Sequence, residues 1–236
     1  MTPIAKKFRH EPHSQAGILR EIILGSQDGL VNVLGLLLGV ATATNEIRII
    51  LISGFAALFA ESISMMAVAY TSSKAARDHY LSELEREKYE IETVPEIETE
   101  EIRQIYREMG FKGKELEQIV KKITSDKKLW LKVMMKDELG LSESEKINPE
   151  KDAAIVGFST VIGSIIPVVP FFFFNAQQGV IASVMVSLFF LIAIGIVKGK
   201  LTTGHMLKSG LEMGAIGIVA AVAGYGIGLV LGATIH

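Results

Sequence analysis

The chain has 236 residues, 49% hydrophobic and 21% charged, with a formal net charge of -2 and no cysteine. This balance gives no basic surface for nucleic acid, and without thiols there are no disulfides and no thiolate metal sites. A mean hydropathy of +0.38 beside that much charge implies segregation, and the charge gathers at the start, across residues 73–152 and around residue 200.

The opening MTPIAKKFRHEPHSQ is basic and polar without an apolar run, so it reads as a cytosolic start rather than a secretory signal. In SQAGILREI, residues 14–22, Ile18, Ile22 and Ile23 fall near one face, with Arg20 and Glu21 on the other. Both a short interfacial helix and the frayed start of the first span fit this pattern.

The first span covers about residues 22–44 and contains Asp28 in GSQDGLVNVLGLLLGV. Only residues 29–44 follow it, short of the roughly 20 apolar residues a crossing needs, so Asp28 falls near or inside the cytoplasmic boundary. Asn32 lies one turn further on the same face. An interfacial carboxylate in headgroup water is one reading; a pore carboxylate partnered with Glu61 is the other.

The second span begins a helix that runs over residues 49–91 with no breaker between Gly54 and Pro95. Its first half is apolar apart from Glu61 and a few hydroxyls, and its second half is densely charged, so one helix leaves the membrane and continues into the cytosol. Residues 49–60 alone cannot cross, which places Glu61 within the span. Met65, four residues on, shares its face, setting a thioether beside an ionisable oxygen. A carboxylate at that depth costs about 3 kcal/mol on insertion scales and is a functional-site hypothesis by default.

Residues 73–152 read as a helical insert. After the long helix, the pattern predicts helices over 96–109, stopped by Gly110, over 113–124, and from a Ser125 N-cap to Leu139 before Gly140. A third span covers 153–174, with Pro167 and Pro170 near its far end, where neighbouring helices must shield the backbone. The fourth covers 180–197 and the fifth begins near Gly210. In the fifth, Ala220, Gly224, Gly228 and Gly232 form a small-residue stripe that admits another helix closely.

The expected fold is an all-α membrane protein of five transmembrane helices with a cytosolic helical metal-binding insert between spans two and three. Its divisions are 1–72, 73–152 and 153–236. Lys6, Lys7, Arg9 and Arg20 at the start and Lys198, Lys200 and Lys208 after span four contrast with a single Arg48 after span one. By the positive-inside rule the N-terminus and the insert are cytosolic. An odd number of spans disfavours two inverted halves, so the pore is expected between two copies of the chain, with the glycine stripe or span one near the axis.

Within the insert, Glu83, Glu87 and Glu90 follow i, i+4, i+7 spacing, Glu98 and Glu101 follow i, i+3, and Met134, Met135 and Glu138 occupy about one turn. Carboxylates suit Mn(II), Fe(II) and Zn(II), and a thioether adds preference for softer ions over Mg(II) and Ca(II). The bland alternative is a solvated acidic face with two core methionines beside Trp130. His10, His13, His79, His205 and His236 read as surface residues. No Glu-x-x-His pair, G-x-S-x-G, H-E-x-x-H or P-loop occurs, which argues against an enzyme.

The segments GSQDGLVNVLGLLLGVA, AESISMMAVAYTSSKA and KVMMKDELGL resemble the vacuolar iron transporter family of iron and manganese transporters, over nearly the whole chain from Ala16 onward. The resemblance implies a homodimeric carrier that exports Fe(II), and often Mn(II), from the cytosol in exchange for protons, with no organic cofactor; Zn(II) and Co(II) are further candidate ions. It assigns the transport pore to Asp28, Glu61 and Met65. It assigns the metal ligands of the insert to Glu87, Glu90, Glu98, Glu101, Met134, Met135 and Glu138, and gives Glu83 no role. A membrane-anchored metal sensor or buffer and a passive divalent cation channel are the alternatives. The Lys- and Glu-rich, Cys-free composition leans towards a prokaryotic cell membrane, with a vacuolar membrane as the other location.

Overall fold

The computed structural model describes residues 13–141, 147–202 and 204–235, with the side chains of 13–16, 234 and 235 left aside. The expectations for residues 1–12, His10 and His236 among them, and for the His13 side chain lie outside the described residues. Every regular element described is helical, and five helices are long and apolar enough to cross a membrane. The chain divides into two units, one formed by Met1–Tyr70 with Pro149–His236 and the other by Thr71–Asn148.

The first unit holds the spans. Helix α1 (His13–Thr44) is continuous, so residues 14–22 are the beginning of the first span rather than a separate interfacial helix. Asn45, at a positive φ of 53°, turns the chain into α2 (Ile47–Thr93). At 1.5 Å per residue α2 is about 70 Å long, more than twice the ~30 Å hydrocarbon core, so its second half must leave the membrane. Pro167 lies in the last turn of α6 (Pro149–Val168), which tightens into a 3-10 turn at Val169–Phe172. The Pro167 carbonyl is satisfied from outside the helix: Ser183 Oγ on α7 (Ala176–Leu201) donates to it at 2.8 Å. Asn175 caps α7, its side chain accepting from Gln178 N at 3.0 Å.

Helix α1 is the centre of this unit. Its Leu30, Val33, Leu34 and Leu37 are fully buried, and two small-residue seams bring its neighbours close. On one seam a methyl group on Gly25 or Gly29 would overlap Val156, Thr160 and Ser164 of α6. On the other, the stripe of α8 (Met206–Ile235) packs on α1 itself, where a methyl on Gly224 would overlap the Gly35 carbonyl and one on Gly228 the Gly39 carbonyl. The glycine stripe of the last span therefore packs against span one within the chain. Helix α2 rests on this core through Ile50 and Gly54 against Leu37, and through Met66, which fills the space beside Gly157 of α6.

In the second unit, the outer half of α2 is followed by α3 (Pro95–Glu108), α4 (Gly113–Thr124) and α5 (Lys127–Val133). Gly110, at φ +102°, ends α3 as expected. The N-cap of α5 is Asp126 rather than Ser125: its carboxylate accepts from Lys128 N and Leu129 N, two donors that the Ser125 side chain, turned back to the Lys122 carbonyl, does not serve. Ile91, Ile102, Leu116, Val120, Ile123, Trp130, Val133 and Met134 form one apolar core. After Val133 the helix widens into a π turn, Met134–Glu138, closed by Leu139 N donating to the Met134 carbonyl at 3.2 Å. Such turns insert one residue into the register and are frequent at functional sites.

Candidate functional site

Among the described residues, each unit holds a group of carboxylates with the ligand chemistry singled out above. In the membrane unit, Asp28 on α1 and Glu61 on α2 meet side chain to side chain, and the Asn32 amide reaches both. Its Nδ2 donates to Glu61 Oε1 at 3.0 Å. Asp28 is half-buried, and its Oδ2 is enclosed without a hydrogen-bond partner. Glu61 is also half-buried, and Met65 follows it one turn along α2 with intermediate exposure. The neighbouring Met66 is turned against Gly157 instead, so the two methionines serve different faces. The contact places Asp28 beside Glu61, as the pore-carboxylate reading requires. Asn32 was visible in the sequence only as the i+4 neighbour of Asp28.

In the other unit, one oxygen from each of Glu87, Glu90 and Glu98 lies within 4.8 Å of the other two. Glu87 and Glu98 are 1% and 3% exposed, and Oε2 of each is enclosed without a hydrogen-bond partner, an arrangement that favours a cation at this point. Burial pushes the Glu98 carboxyl up to about 7, reinforced by the charges of Glu101, Glu87, Glu90 and Glu138. Glu138 is open to water as a residue, yet its carboxyl is also held at about 7, first by desolvation and then by Glu101 and Glu87. Glu87, on the part of α2 beyond the span, is raised by burial and by Glu90, against the pull of Arg86. Glu101 and Glu138 are thus near enough for their charges to act on the trio.

The methionines are placed differently. Met134 belongs to the apolar core with Ile91, Ile102 and Trp130, and Met135 is buried next to it in the π turn. Arg86 is a participant that ligand chemistry did not point to. Its guanidinium lies 2.9 Å from Glu83, 3.6 Å from Glu87 and 3.6 Å from Glu90, which gives Glu83 a partner as well. The available signal was its i+4 spacing to Glu90 and i-3 spacing to Glu83.

These features define a multi-pass helical membrane protein with carboxylates held together both inside its spans and in a helical insert. The chain belongs to the VIT family, whose sequence profile matches residues 19–229. It is 38% identical over 225 residues to a vacuolar iron transporter of Centaurea cyanus, covering 93% of this chain and 91% of that protein. It is 35% identical to vacuolar iron transporter 2 of Oryza sativa subsp. japonica, with coverages of 92% and 89%, and 35% identical to vacuolar iron transporter 1 of Arabidopsis thaliana, with 91% and 87%. All three are plant proteins named as transporters rather than enzymes, and they lend no support to a prokaryotic source.

Proposed function

We propose that this chain carries divalent transition-metal ions, Fe(II) and also Mn(II), across a membrane out of the cytosol in exchange for protons, acting as a homodimer. The observation that carries this reading is the contact of Asp28 with Glu61, bridged by Asn32, inside helices that cross the membrane. Two touching carboxylates in a low-dielectric span carry charge that must be neutralised, either by a divalent cation or by protons. Because both use the same oxygens, one excludes the other, and that alternation is the exchange. Met65 adds a soft ligand that favours Fe(II) and Mn(II) over Mg(II) and Ca(II).

The insert, cytosolic by the distribution of Lys and Arg, gathers the ion. Glu87, Glu90 and Glu98 form the nucleus of its site, Glu101 and Glu138 supply further negative charge, and Met134 and Met135 are the thioethers that complete the proposed ligand set. The names of the relatives favour a vacuolar membrane. Uptake of Fe(II) and Mn(II) into proteoliposomes at two internal pH values tests the proposal. Faster uptake into acidic vesicles supports exchange, whereas flux indifferent to the gradient indicates a passive channel. Deleting residues 73–148 should leave residual flux; loss of all activity on that deletion would favour a tethered sensor or buffer.

A further inference from the structure

The geometry points to a binding site for an anionic phospholipid at the ends of α1 and α7. A groove of about 790 Å³ runs between them, lined by Ile22, Ile23 and Leu24 of α1 on its membrane side, by Arg20 and Lys198, and by Leu201 of α7 beyond them. The wall on the membrane side is open: Ile22 is 44% and Leu24 48% exposed. Apolar surface of this kind within a membrane is covered by acyl chains, and here two cations from different helices line the same groove.

Their depth fits a headgroup. From Thr44 at the far end of α1 back to Arg20 is 44 - 20 = 24 residues, about 36 Å of helix, and from Ala176 at the opposite end of α7 to Lys198 is 198 - 176 = 22 residues, about 33 Å. Against a hydrocarbon core of ~30 Å, both cations fall just beyond the same boundary, at the level of lipid phosphates, while Ile22 and Ile23 remain within reach of the chains. The guanidinium fork offers paired donors to a phosphate and the ammonium a compact charge beside it. Glu21, the acid next to Arg20, is shared between Asp152 and Lys151 of α6 and Arg20 itself, so it only partly balances the Arg20 charge. A lipid with a net negative headgroup satisfies both cations. A zwitterionic one brings its own positive charge to the same place.

The test uses the full chain in vesicles of phosphatidylglycerol and phosphatidylcholine, with one or the other lipid brominated. A reporter is introduced as Ile22→Trp in the groove, and a control as Phe189→Trp on the lipid-facing side of α7, 68% exposed. The emission of the single native Trp130, measured in the chain without either substitution, is subtracted. Quenching at the groove should favour phosphatidylglycerol by about tenfold, and the control by less than twofold. Adding Arg20→Gln and Lys198→Gln should bring the groove down to the control. Native mass spectrometry of the chain without a reporter should show phosphatidylglycerol retained, and lost in the Arg20→Gln, Lys198→Gln variant, so a reporter that disturbs folding leaves the question answerable. Equal preference at both positions, preference unchanged by the double substitution, or a groove quenched by neither lipid because residues 1–12 or a second copy covers it would each overturn the assignment.

Discussion

Asn32 and Glu61 are joined by a hydrogen bond of 3.0 Å between helices that meet only after a turn at Asn45. Twenty-nine residues separate the two in sequence, and the Asn32 amide also acts on the Asp28 carboxylate that meets Glu61. Hydrogen bonds to charged groups contribute about 1.5–3 kcal/mol. Asn32→Ala should therefore slow metal uptake by proteoliposomes at least tenfold while leaving the protein folded and its insert able to bind metal. Unchanged uptake would separate Asn32 from the transport path.

The insert should bind metal more tightly as pH rises from 6 to 8, because Glu98 and Glu138 hold protons up to about 7 and a cation must displace them. The metal-free protein should behave in the opposite sense. A carboxyl raised above its ordinary value of 4.5 gives stability that is fully present below 4.5 and lost as pH rises through about 7, since the folded state must then carry the crowded charges. Trp130 belongs to the apolar core of this unit and reports its unfolding. Without metal, its fluorescence should show a higher melting temperature at pH 5 than at pH 8; with saturating Mn(II) the order should reverse.

Arg86 stands among the carboxylates that a metal ion would claim, within 3.6 Å of both Glu87 and Glu90. As a resident countercharge it competes with the ion. Arg86→Gln should tighten Mn(II) binding severalfold at pH 8 and make the affinity more sensitive to pH, because Glu87 loses the group that opposes its rise and so holds its proton to higher pH. Competition against a chelating dye measures this. Weaker binding by the variant would mean that Arg86 orders the ligands rather than blocking the ion.

The approach of α8 to α1 leaves no volume at Gly224, where an added methyl overlaps the Gly35 carbonyl. Gly224→Val should destabilise the membrane unit by about 1–3 kcal/mol, the usual cost of overpacking, and lower its melting temperature in detergent. Gly226, whose position is open, should accept alanine with little change.

The spans were legible because length and apolarity alone decide a crossing, and the helices of the insert were legible because Gly110 and Gly140 stop them at positive φ. The cap of α5 was misplaced by one residue, since Ser125 and Asp126 are both good caps and only the fold chooses between them. The partner of the glycine stripe was not legible: a sequence shows that a helix can be approached closely, not which helix comes. In the membrane, spacing placed Asp28 and Asn32 on one face, but their meeting with Glu61 depends on the pairing of α1 with α2. In the insert, three acids come together from two helices, while the burial of Met134 in the core follows from the π turn, which no residue pattern announces.

The most direct measurement of the central claim is metal-driven proton movement in proteoliposomes that hold a pH-sensitive dye, comparing the unaltered chain with Glu61→Gln. The exchange predicts that Fe(II) or Mn(II) uptake alkalinises the interior for the unaltered chain. Glu61→Gln, still folded, should show neither metal uptake nor a proton signal. Undiminished uptake coupled to protons in Glu61→Gln would contradict the account.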